Sequence, residues 1–324
     1  MKRLLSATAI AATALIALTA CGSTQSASDA SSSGSKITIT DATGTKVTLD
    51  GPAEKVVGTE WNVVEDLETL GVAPVGVADV KGYGNYDSAV PLTGDPKDIG
   101  TRGEPSTDTI AALAPDLIVA TNDLKASVVK QLRKIAPTIV VASADGKDQL
   151  GTMHDTLDMI AKATGTAAEA KTVWSGFEDK LAAGKKELAD AGKAGTTVAM
   201  ADGYELSNQV TIRPYTSTSA LGTVNERLGL ENAWDVDGDA AYGLGSTDVE
   251  GLTKLGADTQ FLYIANKADG NDVFADSLAS NDVWKSLPFV EAGNVHRLTD
   301  GIWMFGGPGS MEAYIDATVA AITK

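Results

Sequence analysis

Cysteine is nearly absent from this chain of 324 residues: Cys21 is the only one. No disulfide can form within the chain, and no cluster of thiolates can hold a metal. Histidine is almost as scarce, with His154 and His296 alone, too few for an imidazole-rich zinc or manganese site. His154 falls in a helical run and His296 in a strand, positions that suit structural or surface roles. Positive charge is short as well. The 26 Lys and Arg stand against 43 Asp and Glu, a formal net charge of −17, the wrong sign for nucleic acid. Aromatic residues make up only 5%, so each Trp or Tyr beside a turn carries weight. The fingerprints G-x-S-x-G, H-E-x-x-H, the P-loop and the dinucleotide-binding glycines are all missing. Ser127-Val128-Val129-Lys130 matches S-x-x-K formally, but it lies within a helical pattern and lacks both S-D-N and K-T-G. An anchored extracellular enzyme is therefore the weaker of two broad readings, and a binding protein the stronger.

No apolar run is long enough for a good membrane span. The N-terminus instead has a basic start, MKRLL, a short Ala/Thr-rich apolar stretch, and the sequence LTAC ending at Cys21. That pattern resembles a bacterial lipoprotein signal, which implies cleavage before Cys21, acylation of its sulfur and an anchor on the outer face of the membrane. Residues 22–35, GSTQSASDASSSGS, read as a flexible tether with a mean reach of roughly 20 Å.

From Lys36 onward the chain has the apolar content for packed cores. KITITDATGTKVTLD alternates around Thr43-Gly44 as a β-hairpin should. KVVGT, VGVA, DLIVA and TIVVA are short β-rich apolar runs separated by helical patterns, which predicts a mainly parallel sheet. Asn62-x-x-Glu65 reads as a capping box at the start of the first helix. Residues 147–191 carry almost no strand signal, and a helix of about 25 residues is expected there after a break at Gly165. TTVAMA, QVTIR, QFLYIA and NVHRL then read as strands, with helices at SALGTVNERLG and GSMEAYIDATVAAITK. The expected architecture is α/β, with two Rossmann-like lobes of mainly parallel sheet joined by one long helix and a ligand cleft between them. The divisions are a leader at 1–20, a lipidated tether at 21–35, a first lobe at 36–160, a connecting helix at 161–192 and a second lobe at 193–324. The phrase DTIAALAPD (108–116) returns as EGLTKLGAD (250–258), each copy running into an apolar strand. It marks one equivalent helix–strand step in each lobe.

The order and spacing of DIGTRGEPSTDTIAALAPDLIVA (98–120), YGLGSTDVEGL (242–252), VWKSLPFVEAGNVHRL (283–298) and GIWMFGGPGSM (301–311) carry a resemblance. Over nearly the whole stretch from Lys36 to Lys324 the sequence resembles the solute receptors of ATP-binding-cassette importers for iron–siderophore complexes, and most of all those for ferric hydroxamates. The resemblance implies a ferric siderophore as ligand, an ABC permease dimer as partner, a monomeric receptor, no cofactor, and iron held by its chelator without a protein metal site. Asp108 and Glu250 match the acids that contact permease arginines in such receptors. Both sit where a helix begins, a favourable place for a carboxylate, although Thr247-x-x-Glu250 also fits a capping box. Arg102, in GTRGEP, matches the arginine that points at the chelate oxygens. Its competing role is an ion pair with Glu104. Tyr242 falls where related receptors place an indole against the ligand. The loop TNDLK after LIVA has no aromatic where hydroxamate receptors carry a Tyr, which implies a ligand of somewhat different shape. Haem and cobalamin receptors share the fold and remain an alternative.

The residues themselves suggest the rest of the site. A bulky chelate needs aromatic walls and one or two cationic forks. Trp303 and Phe305 lie between a strand and the last helix, a cleft-type turn, with core packing the stronger rival for Phe305. Trp61 follows a strand end on the opposite wall. Arg213 and Tyr215 end a strand in the second lobe, so Arg213 offers a second fork. Tyr83 and Tyr86, on what reads as a Gly-rich loop, are candidates for the outer rim.

Overall fold

The structure, a computed structural model, describes residues 36–207 and 209–324. The leader, Cys21 and the tether lie outside the described residues. Strands β1 (Ile37–Thr40) and β2 (Lys46–Leu49) form the expected antiparallel hairpin. Asp41 holds its turn by accepting from the backbone of Thr43 and Thr45.

The first sheet contains β3 (Val56–Gly58), β4 (Gly76–Val77), β5 (Lys97–Asp98), β8 (Leu117–Thr121) and β9 (Thr138–Val141). Its order is β5-β4-β3-β8-β9, and every pairing is parallel. β8 and β9 are buried along their whole length, which explains why they read as unbroken apolar runs. Two residues each of β6 (Gly100–Thr101) and β7 (Glu104–Pro105) make a small hairpin beside this sheet. Helices α1 (Trp61–Thr69), α2 (Val80–Tyr86), α3 (Thr107–Leu113) and α4 (Ala126–Leu132) connect the strands. The capping box is not as expected. Glu60 is the N-cap of α1, Asn62 is inside the helix, and Glu65 is buried with a long-range partner.

Helix α5 (Gln149–Thr164) ends at Gly165, whose φ of 78° supplies the left-handed cap that L-residues resist. Helix α6 (Ala167–Asp190) is the long helix, 24 residues or about 36 Å at 1.5 Å per residue. Ala170 packs in the first lobe's core, while Phe177, Leu181 and Leu188 pack in the second's. One amphipathic element thus contributes to both cores.

The second sheet contains β10 (Thr197–Leu206), β11 (Gln209–Pro214), β12 (Glu231–Asn232), β13 (Gln260–Tyr263) and β14 (Val295–Arg297). Its order is β11-β10-β13-β14, with β12 also on β10. β11 is antiparallel to β10 and the other pairings are parallel. Around it lie α7 (Ala220–Arg227), α8 (Asp282–Lys285), α9 (Pro288–Glu291) and α10 (Pro308–Thr323). The repeated phrase forms α3 before β8 in one lobe and a 3-10 helix, Glu250–Lys254, before β13 in the other. Both lobes therefore run strand to helix to strand toward a common cleft, the two-lobed α/β arrangement expected.

Candidate ligand cleft

Strands of a parallel sheet deliver their connecting loops to the carboxyl end, where α/β proteins bind ligands. The loop after β3 brings Glu60, and the first turn of α1 brings Asn62. The β6–β7 turn brings Arg102, the loop after β8 brings Asp123, and the loop after β9 brings Ser143. From the second lobe come Arg213, Tyr242, Leu244, Trp303 and Phe305. Together they line a cavity of about 460 Å³, within the usual range for small-molecule sites. An adjoining space of about 340 Å³ runs past Tyr86, Asp202 and Asn266.

Arg102 sits a third exposed at its turn, with Nη1 2.6 Å from Glu60 Oε1. Its partner is thus Glu60 and not Glu104. The guanidinium carbon lies 4.0 Å from the centre of the Trp61 ring and 5.0 Å from that of Trp303. Trp61 Nε1 donates to the Ala78 carbonyl, which locks the ring beneath the arginine. Arg213 is placed differently. It is the direct cross-strand neighbour of Asp202 on β10, and its Nε and Nη2 donate to the two carboxylate oxygens, Nε at 2.8 Å. Its guanidinium carbon is 5.8 Å from the Phe305 ring centre. Burial disfavours the Arg213 cation, but the Asp202 bond overrides it and keeps the guanidinium charged.

An aromatic chain runs along the cleft. Tyr86 stacks on Trp61 at 5.7 Å, Trp61 meets Trp303 at 4.8 Å, Trp303 meets Phe305 at 5.1 Å, and Phe305 meets Tyr242 at 5.3 Å. Two tyrosines span the lobes. Tyr242 donates to Asp123 Oδ2, and Tyr86 donates to Asp269 at 2.6 Å. Burial and the Asp123 bond raise the Tyr242 hydroxyl above its ordinary range, and the Asp269 bond pushes Tyr86 up to about 12. Both hydroxyls therefore stay protonated donors at neutral pH.

Several expected positions differ. Tyr215 is 1% exposed, with its hydroxyl directed at Met304 Sδ and Asp202. It lines a small adjoining pocket together with Tyr242 and Phe305 and is not a wall of the main cavity. Tyr83 is fully buried in α2 and donates to the Val90 carbonyl, so it is not at the rim. The glycines flanking it left no apolar period to read. Trp61 and Trp303 are only 3% and 8% exposed, whereas Phe305 is half-buried. Core packing therefore claims Trp303 more than Phe305, the reverse of the expected order.

Asp108 and Glu250 are both exposed, one in the first turn of α3 and the other at the start of the 3-10 helix. The Thr247 amide donates to the Ile212 carbonyl and Asp248 caps the Gly251 amide, so the Thr247–Glu250 capping box does not form. The histidines have structural partners: His154 stacks on Trp174 at 4.1 Å, and His296 bonds Gln260 at 2.7 Å. Among the described residues no group of His, Cys, Asp or Glu is arranged to hold a metal.

One feature beneath the cleft was not anticipated. Glu65, Asp66 and Asp87 are buried where α1 and α2 meet the start of α10. The Ser310 amide donates to Glu65 at 2.7 Å, and the Ser310 hydroxyl donates to Asp87 at 3.1 Å. A Cβ at Gly306 or Gly307 would collide with Glu65 or Asp66, so the GGPG turn needs its glycines to admit these acids. Burial raises all three carboxyls, with Glu65 adding repulsion on Asp66 and Asp87. The signal lay in VVEDLET, where acids interrupt a helix that is otherwise apolar.

A two-lobed α/β fold with a mixed aromatic and cationic cleft defines a class of binding proteins. Residues 56–301 match the periplasmic binding protein family, and the chain belongs to it. Its members are solute-binding proteins and not enzymes. The chain is similar to the probable siderophore-binding lipoprotein YfiY of Bacillus subtilis (strain 168), at 28% identity over 95% of this chain and 94% of that one. It is also similar to the Fe(3+)-citrate-binding protein YfmC of the same organism, at 31% identity over 90% and 87%. Among solved structures it shares its fold with the Fe3+-Desferal-bound siderophore binding protein FhuD from Vibrio cholerae. The TM-score is 0.74 and the identity 23%, covering 83% of this chain and 98% of the other.

Proposed function

We propose that this chain is the extracytoplasmic receptor of an ABC importer, and that it captures a ferric siderophore of hydroxamate type and presents it to the permease. The observation that carries the reading is Arg102, held by Glu60 and stacked over Trp61 at the mouth of a 460 Å³ cavity. It offers a planar fork to chelate oxygens while the aromatic chain covers the organic shell. Charge decides between chelate types. Three hydroxamates balance Fe(III) and leave a neutral core, whereas three catecholates leave it trianionic. Both arginines of the cleft already have a carboxylate partner, so the site suits a chelate of low net charge. That also argues against ferric citrate, despite the relative so named. The iron arrives with its coordination shell full, and the protein supplies no ligand to it.

The exposed carboxylates of Asp108 and Glu250, one per lobe, are the proposed contacts for permease arginines. Charge reversal at both should abolish uptake while leaving ligand affinity unchanged; a loss of ligand binding would move them to the fold or the cleft. Cys21 is the proposed site of acylation, in keeping with relatives named as lipoproteins. Cys21→Ala should release folded receptor from the membrane fraction, and retention would sink that assignment.

Native mass spectrometry of purified residues 36–324 against ferric hydroxamate, catecholate and citrate complexes, haem and cobalamin tests the ligand. A one-to-one ferric hydroxamate complex, with quenched tryptophan fluorescence, is expected. Exclusive binding of haem, cobalamin or an anionic chelate would overturn the reading.

A further inference from the structure

We propose that the cleft selects a cationic chelate, and that Asp123 is the residue that reads the charge. The inference rests on the siderophore reading and narrows it to ferric trihydroxamates that carry a pendant protonated amine. Four charged side chains line the cavity: Glu60, Arg102, Asp123 and Arg213. Glu60 and Arg102 neutralise each other, and Arg213 is neutralised by Asp202 just behind the wall. Asp123 is left over. Its one hydrogen bond among the described residues comes from the Tyr242 hydroxyl, to Oδ2. Tyr242 is neutral, because burial and the Asp123 bond itself hold its proton on, so the bond orients the carboxylate without cancelling its charge. Oδ1 remains available.

The placement suits a pendant cation. Asp123 stands on the exposed loop that follows β8; it shares the cavity with the buried Trp303 but is itself open to solvent. A neutral chelate core against Arg102 and the aromatic chain leaves its side arm pointing to the rim, where a lone carboxylate can accept an ammonium hydrogen. A second carboxylate, Glu60, adds its field at Tyr242. The lining of the cavity therefore carries no surplus positive charge that would repel such an arm.

The probes are the Fe(III) complex of a linear trihydroxamate ending in a primary amine and the same complex with that amine acetylated. They share shape and differ by one charge. Isothermal titration of the parent protein should show the amine form bound about tenfold more tightly at low salt, the modest end for a charge-assisted bond at an exposed site. The ratio should shrink as salt screens the pair. In Asp123→Asn, which keeps an oxygen for the Tyr242 hydroxyl, the ratio should fall to about one. Equal affinities in the parent overturn the proposal without reference to any variant, so a folding defect cannot shelter it. A preference that survives Asp123→Asn overturns the assignment to Asp123. If neither complex binds at all, the siderophore reading falls first and the selectivity with it.

Discussion

Arg102 and Arg213 face one cavity from opposite lobes, but the two sheets hold them in different ways. The second lobe has an antiparallel edge strand, β11, and that strand sets Arg213 directly across from Asp202. Both carboxylate oxygens are used, and the pair is built into the ladder. The five-stranded sheet of the first lobe is wholly parallel and has no such edge. Arg102 comes in on the turn of the short hairpin at 100–105 beside the sheet, and its place is set by stacking on Trp61 and Trp303. Glu60 spends a single oxygen, Oε1, on both the Arg102 guanidinium and the Trp61 amide. One arginine is thus a member of the scaffold, and the other is a group resting on an aromatic platform with hydrogen-bonding capacity to spare.

The difference can be broken at its platform. Trp303→Ala removes one of the two rings over Arg102 and empties a site only 8% exposed. It should cost about 3–5 kcal/mol of stability and weaken ligand binding as well. A melt like the parent's would show that Trp303 is not packed as described. Asp202→Asn tests the scaffold side. The amide sets an N–H against an N–H of Arg213, so about 1.5–3 kcal/mol should be lost, read by chemical denaturation. An unchanged midpoint would mean that Arg213 is as loosely held as Arg102.

The acids under the Arg102 wall add a pH test. Glu65, Asp66 and Asp87 have folded pKa values raised by burial, so the folded state binds the extra protons. Their stabilising contribution is complete below the ordinary carboxylate range, near pH 4, and is lost as pH rises toward the raised values. Asp87→Asn keeps an acceptor for Ser310 and offers Glu65 a donor. It should raise stability at pH 8 by about 1–3 kcal/mol and flatten the decline between pH 5 and pH 8. A lower melting temperature at both pH values would contradict this. Glu60→Gln should have the smallest effect, up to about 1 kcal/mol, since Gln retains the one oxygen that Arg102 and Trp61 share. A loss as large as that of Asp202→Asn would erase the contrast between the two arginines.

The sequence made the strand–helix order and the long helix readable, because buried parallel strands are unbroken apolar runs and α6 has a clear helical period. The cleft was readable where a rare residue ended a strand or flanked a turn: Arg102, Arg213, Tyr242 and Trp303. It failed where position along the chain did not reveal depth. Tyr215 follows Arg213 by two and does lie on the same side, yet Met304 and Phe305 cover it. Tyr83 sits among glycines that read as a loop but fold as α2 around Asp79, which caps the Gly82 amide from a left-handed conformation. The acid joint joins residues 245 positions apart, Glu65 and Ser310, and no local pattern reports a contact of that range.

The central claim is that Arg102 is the group that meets the chelate. Titrating the parent, Arg102→Ala and Arg102→Lys with a ferric trihydroxamate, followed by tryptophan fluorescence with thermal melts alongside, tests it most directly. A hydrogen bond to a charged group contributes about 1.5–3 kcal/mol, so Arg102→Ala should bind roughly ten- to a hundredfold more weakly. Arg102→Lys should recover part of that loss, because it restores the charge without the planar fork, and both variants should melt close to the parent. Arg102→Ala binding as tightly as the parent would contradict the account.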